Sequence, residues 1–488
     1  MTSKWMKLFA SLFAIALVAA ACSSDGGTET STADSDAADA AAASLEEAQA
    51  RAEAAEAEAA DAEARAEAAE AAAAEAGDGE AMVEAREFEG QVVRITGPER
   101  SAEEWNAIEA AMVPFEEATG MEVIYTGSAD WEAEINVQIA AGNPPDISIF
   151  PQPGKLADFA RDGFVNELPG DVFDSVSANW SDSNMGFGLV DGAYYGVPVK
   201  QDLKSIVWHK PTVFADNGYD IPQTWDELKE LTNTMIADGI TPWCVGIESG
   251  QATGWVFTDW TEDLMLRFYG GEAYDEWVAN DLKFSDERVT TIFQEILDLW
   301  NTPGAVFAGG GTIASTHFAN EPAEGLINDD CAMVRQASFF ANFLPEGSSD
   351  QVDVFYFPSI TADDRPVMGG GNLTGAFNTN DATWAVMDYM GSADYANARQ
   401  VAQREAKGGG ISGFNTANIN ADSSLWSPLG QGFVTFLQEA ETFRFDGSDL
   451  MPADVGAGEF WTQATNMVNG DADVATAAAA IDAAWPSE

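Results

Sequence analysis

The stretch Gly142 to Gly154, GNPPDISIFPQPG, sets an aromatic and an amide on a rigid turn. Ile147 to Phe150 alternate as a short strand. Pro151 and Pro153 stop it on either side of Gln152, because proline fixes φ and cannot donate to a ladder. Such a turn can form a ligand wall, or it can be an ordinary loop. A different chemistry is hydrolysis by a carboxylate pair, with Glu248 and Asp259 as acid and base. They lie eleven residues apart, and a chain with 81 acidic residues always offers pairs. GGGISG, Gly408 to Gly413, fits G-x-G-x-x-G, but it follows a helical stretch rather than a strand and reads as loop glycine; AGGGT at Ala308 to Thr312 reads the same way. His209 and His317, the only histidines, argue against a multi-histidine metal centre. Fifteen tryptophans serve either core packing or flat stacking surfaces for sugar rings.

The length of 488 residues allows two or three domains, and a hydrophobic content of 46% says that most of the chain folds. A formal net charge of −59 repels phosphate backbones and anionic lipid, which speaks against a nucleic-acid partner. Lys4 and Lys7 precede an apolar run, Leu8 to Val18, that ends in Ala19-Ala20-Ala21-Cys22. This predicts a signal peptide over residues 1–21. A cysteine at that place resembles a bacterial lipobox with Cys22 lipidated, although alanine stands where leucine or valine is usual three places earlier. The alternative is a plain secretory signal. The expected location is outside the cytoplasm, lipid-anchored to the cell membrane. In that oxidising compartment Cys244 and Cys331 suggest one disulfide.

Residues 22–43 form an expected disordered linker. Residues 44–89 form an Ala/Glu-rich stalk whose helix, Ser44 to Ala76, begins with a Ser44/Glu47 capping box and reaches ~50 Å at ~1.5 Å per residue. The globular part then alternates: strand QVVRITG, a helix closed by Gly120, strand MEVIYTG, a second helix and strand DISIF. This β-α-β-α-β rhythm predicts a parallel α/β sheet with ligands beyond its C-terminal strand ends. Gly97-Pro98-Glu99, Ser128 to Trp131, and Pro151-Gln152-Pro153 fall there.

YGVPVK with the hydrophobic strand after it, the P-x-T-W-D-E-L helix start with Thr224 as N-cap and Glu227 at N3, and AAGNPPDI together resemble the extracellular solute-binding proteins of bacterial ABC importers. The resemblance is to the carbohydrate group that includes maltose-binding proteins. IFPQPG, PWCVGIESGQATGW and FDGSDLMPADVGAGEFW are similar to its α-glucoside-binding subgroup. It covers roughly Gln91 to Ala484. It implies an α/β, two-lobed periplasmic-binding-protein fold (type II, maltose-binding-like), with lobe one at 91–200 and 366–405 and lobe two at 205–360 and 406–488. It also implies a monomer that holds a sugar between the lobes and delivers it to ABC permease subunits, with no catalytic residue, metal or cofactor.

A sugar site needs polar side chains for hydroxyls and aromatics for C–H faces. The candidates at strand ends and helix starts are Asp130, Trp131, Gln152, Lys200, Glu248, Trp255, Asp259, Gln336, Ser338, Asn372 and Trp461. Trp255, Asp259 and Trp260 share roughly one helix face. The resemblance assigns stacking to Trp461 and places Asn372 where the subgroup has aspartate. Each has a structural rival reading: a tryptophan near a helix start is core more often than platform, and Arg335 reads as a structural ion pair. The rival functions are a secreted glycoside hydrolase and a carbohydrate-binding adhesin displayed on the stalk.

Overall fold

The computed structural model describes residues 87–438 and 440–486. The expected signal peptide, Cys22, the linker and the stalk up to residue 86 lie outside the described residues. The alternation predicted for the globular part is present. β1 (Val92–Gly97), α1 (Ala102–Thr119), β2 (Glu122–Gly127), α2 (Trp131–Ala140), β3 (Ile147–Phe150) and α3 (Pro153–Arg161) follow one another, and β1 pairs in parallel with β2 and β3. The helix starts and stops are chemical. Ser101 Oγ accepts the Glu104 N–H at 3.2 Å, and Gly120 ends α1 at φ 76°, a left-handed conformation that a residue without Cβ adopts freely.

A small hairpin, β4 (Leu189–Val190) and β5 (Ala193–Tyr194), leads into β6 (Gly196–Leu203), and after a turn at Lys204-Ser205 the chain enters a second sheet as β7 (Ile206–His209). There Thr224 and Glu227 form the expected capping box, opening α4 (Trp225–Ala237). β8 (Trp243–Cys244), α5 (Trp255–Val278), α6 (Glu287–Asn301), β9 (Val306–Phe307), β10 (Met333–Arg335) and β11 (Asp353–Tyr356) complete this lobe. Its strand order is β11-β7-β10-β8-β9. Cys244 and Cys331 are joined by a disulfide that staples β8 to the entry of β10.

The chain returns through β12 (Val367–Ala376), which pairs antiparallel with β3 and β6 and parallel with β13 (Phe443–Phe445). Gly371 permits this close crossing: a Cβ there would stand 2.4 Å from the Lys200 carbonyl oxygen. α7 (Asp381–Met390) and α8 (Ala393–Ala406) cover lobe one. Residues 412–426 also pack there: Phe414 and Trp426 cluster with Ala396 of α8, and Gln201 N–H donates to the Asn415 carbonyl. The return to lobe two comes with α9 (Pro428–Gln438), whose Phe433 joins that lobe's core, and this is later in the chain than residue 406. The C-terminal run holds α10 (Gly447–Leu450), α11 (Trp461–Asn469) and α12 (Val474–Ala483).

Each lobe has its own apolar core, around Ile95, Ile147 and Val386 in lobe one and around Trp208, Trp260 and Phe293 in lobe two. Most tryptophans are core, as the bland reading expects. Trp243 and Trp260, for example, meet edge to face at 5.3 Å.

Candidate functional site

Strand ends and helix starts of the two lobes converge on a cleft with two adjoining cavities, an inner one of about 160 Å³ and an outer one of about 560 Å³. Pro98, Arg100, Pro151, Lys204, Phe318 and Asp449 border both. The lobes touch across the cleft. Arg100 donates to Ser249 Oγ at 3.4 Å and lies 5.9 Å over the Phe318 ring. Asn342 donates to Glu104 at 3.0 Å.

The inner cavity is walled by Trp255, Trp461, Phe318 and Phe339. Trp255 packs against Phe318 and Phe339 at 5.1 and 5.9 Å. Its other walls are polar: Gln152 from the turn after β3, Asp259 from α5, and Asp446 and Asp449 from β13–α10. Gln152 Oε1 and Trp461 Nε1 are buried there without a hydrogen-bond partner. Leaving such a group unpaired costs about 1–3 kcal/mol, so the walls of this cavity hold one unpaired acceptor and one unpaired donor. Beneath them Lys204 Nζ lies 2.8 Å from Asp259 and also contacts Asp446. Burial opposes the ammonium charge, yet Asp259 and Asp446 hold its pKa well above the usual lysine range. Burial, with the charge of Asp446, pushes Asp259 up to about 6 against the pull of Lys204 and Arg335.

The outer cavity rests on a different network. Glu99 accepts from Asn372 at 2.8 Å and from Arg399 at 2.9 Å. Burial opposes its charge, but Arg399 and Lys200 outweigh this and keep the carboxyl below the usual range. Lys200 pairs with Asp202 at 3.2 Å and lies 5.2 Å over Phe339. Asn372 stands where the family resemblance led to an aspartate, and its partner explains the amide: an aspartate would set a second carboxylate against Glu99.

Six of the eleven sequence-derived candidates line the cleft: Gln152, Trp255, Asp259 and Trp461 the inner cavity, Lys200 and Asn372 the outer one. The other five line neither. Trp131 is 1% exposed in the lobe-one core, with its indole N–H on Ser148 at 2.9 Å and its ring edge-on to Phe150. Gln336 Oε1 accepts the Ala337 N–H at 2.8 Å, and Ser338 Oγ accepts that of Leu203 at 3.1 Å, so both serve local backbone. Glu248 caps the Gly250 N–H at 2.8 Å, and Asp130 is an exposed residue at the start of α2. Arg335 is a structural ion-pair residue, 3.1 Å from Asp259 and 2.8 Å from Asp263. Arg100, Lys204, Phe318, Phe339, Asp446 and Asp449 were not singled out from sequence. Asp446 and Asp449 lie within FDGSDLMPADVGAGEFW, so a signal for them was present, whereas nothing local marks Phe318 or Phe339.

The family described as bacterial extracellular solute-binding protein matches residues 96–397. The chain is 36% identical over 394 residues to the osmoprotective compounds-binding protein GgtB of Synechocystis sp., covering 79% of this chain and 90% of that one. It is 37% identical over 417 residues to the alpha-glucosides-binding periplasmic protein AglE of Rhizobium meliloti, covering 82% and 88%. Among solved structures, maltose-bound T. maritima MalE3 superposes with a TM-score of 0.64 at 17% identity, over 80% of this chain and 98% of that one, a likeness of fold.

Proposed function

The chain belongs to the bacterial extracellular solute-binding proteins, and from that premise we propose that its cleft captures an α-linked glucoside, such as maltose, trehalose or sucrose, for an ABC permease. The observation that carries the reading is the inner cavity. It combines tryptophan and phenylalanine faces with an unpaired donor, Trp461 Nε1, and an unpaired acceptor, Gln152 Oε1. A pyranose offers apolar C–H faces and hydroxyls that both donate and accept, so it answers each feature. The outer cavity, with Lys200 and Asn372, takes the remainder of the ligand. The relative named for α-glucosides supports this class.

The protein is a binding protein and not an enzyme. The carboxylates that a hydrolase would use are committed elsewhere, Asp259 to two cations and Glu248 to a backbone N–H. It works outside the cytoplasm. We further propose that Cys22 carries the lipid anchor, that the Ala/Glu stalk spaces the lobes from the membrane, and that the protein acts as a monomer. The test is a thermal-shift series of the mature protein with α-glucosides, other disaccharides and polyols, with chromatography of each sugar afterwards. A cognate ligand raises stability by RT ln(1 + [L]/Kd) and is recovered intact. A melting temperature that no small solute moves would favour the adhesin, and cleaved sugar would favour the hydrolase.

A further inference from the structure

Beneath the inner cavity five carboxyls are shut away with three cations. Asp259, Glu262, Asp263, Asp446 and Asp449 are at most 8% exposed, as are Lys204, Arg267 and Arg335. Lys204 contacts Asp259 and Asp446, Arg335 contacts Asp259 and Asp263, and Arg267 contacts Asp263. The three cations are thus matched by three acids. Glu262 and Asp449 are left over. An unpaired buried carboxylate is costly enough that binding a proton is its ordinary escape. Glu262 takes the Gly447 and Ser448 N–H groups at 2.8 and 3.2 Å, and its carboxyl is hydrogen-bonded to Asp446 inside the protein.

Asp449 differs because it borders both cavities and its carboxyl has no hydrogen-bond partner among the described residues. The groups facing it are Asp446 on the same turn, Lys204 from the turn after β6, Asp259 from α5 and Glu132 from α2, with Arg100 across the cleft on the shared wall. Burial, and then the charge of Asp446, push its pKa well above the usual range. Gln152 and Trp461, each with an unpaired polar atom, line the same inner space.

We propose that Asp449 enters the closed complex as a neutral acid and donates its proton in a hydrogen bond to a ligand hydroxyl, so that capture is linked to proton uptake. This rests on the reading of the cavity as a sugar site. In lobes opened to water the same carboxyl returns to the ordinary value of a free aspartate. The sign follows from linkage. The proton's contribution to affinity is full below that value and is lost as pH rises through the elevated value of the closed complex, by up to about tenfold in Kd per pH unit.

The experiment is calorimetric titration of the mature protein with maltose, trehalose and sucrose at pH 5 to 8, in buffers of different ionisation enthalpy. We expect weaker binding at higher pH and heats that report net proton uptake. Asp449→Asn, checked for its melting temperature, should flatten the pH slope, and Asp449→Ala should bind more weakly than Asp449→Asn at every pH. Sugar binding with a flat profile and buffer-independent heats, or with proton release, overturns the proposal while leaving the sugar reading intact. Absence of binding by every sugar at every pH removes both. Absence of net proton uptake by the wild-type protein overturns the proposal even if the variants fold poorly, and uptake that persists unchanged in Asp449→Asn overturns it by placing the proton on another carboxyl.

Discussion

The two cavities of the cleft sit on buried polar networks that differ in one respect. Under the outer cavity, Glu99 is matched by Arg399 and Asn372, each within 2.9 Å. Under the inner one, Gln152 and Trp461 each hold an unpaired polar atom within the cavity wall, and Asp449 borders the space as a carboxyl left without a cation. A carboxylate met on both sides, as Glu99 is, has little left to offer a ligand and acts as structure, although Arg399 Nε behind it stays unpaired. An unpaired group beside a cavity is one that a ligand can complete. The difference assigns recognition to the inner cavity and scaffolding to the Glu99 network.

The sharpest way to break this assignment is to remove the central cation of each network. Arg399→Met and Lys204→Met should each cost about 3–5 kcal/mol of folding stability, because each strands buried carboxylate charge. Urea unfolding measures this. Calorimetry should then separate the two variants, with sugar affinity falling for Lys204→Met and nearly unchanged for Arg399→Met. Equal losses of affinity would erase the distinction between the cavities.

A second pair uses two tryptophans, Trp131 and Trp461, that are 1% and 3% exposed and so equally core-like by burial. They differ at the indole N–H, which is bonded to Ser148 in Trp131 and unpaired in Trp461. Trp461→Ala should weaken sugar binding by about 1.5–3 kcal/mol through lost ring contact in a closed cleft. Trp131→Ala should leave affinity within about twofold of wild type and lower stability instead. Matching affinity losses in the two variants would mean that fold damage, rather than stacking, sets the number.

These two tryptophans also show what was legible in the sequence. Both read from sequence as helix starts, although Trp461 in fact continues a π-helical turn over Asp454–Phe460, and local pattern could not tell core from cleft wall. Where the determinant was local, the reading held. The Thr224–Glu227 capping box, the three parallel strands and the Cys244–Cys331 pair each follow from a few residues or from compartment chemistry. The ion network could not be read that way: Lys204, Asp259, Asp446 and Arg335 come from four distant segments that meet only after the chain has crossed between lobes. Asn372 was ambiguous for the same reason, because the partner that explains its amide, Glu99, lies 273 residues away.

The smallest effect gives the finest test, and it compares two buried amides. Asn372 uses its amide N–H on Glu99, so Asn372→Ala should act mainly on stability, by about 1–3 kcal/mol, as a carboxylate loses one of its donors. Gln152 has an oxygen with no internal partner, while its amide bonds the Glu132 carboxyl, so Gln152→Ala removes one unpaired group together with one donor. Its folding stability should therefore fall by less than that of Asn372→Ala. Its sugar affinity should fall by about 0.5–1.5 kcal/mol, the net worth of one neutral hydrogen bond. That is less than the loss from Trp461→Ala, because stacking buries a whole ring face whereas the amide exchanges a single partner with water. Urea unfolding and titration of both amide variants read the two effects independently. A stability loss in Gln152→Ala as large as that of Asn372→Ala would show that its oxygen is already satisfied in the unliganded protein, and a larger affinity loss than that of Trp461→Ala would move the centre of recognition to the turn after β3.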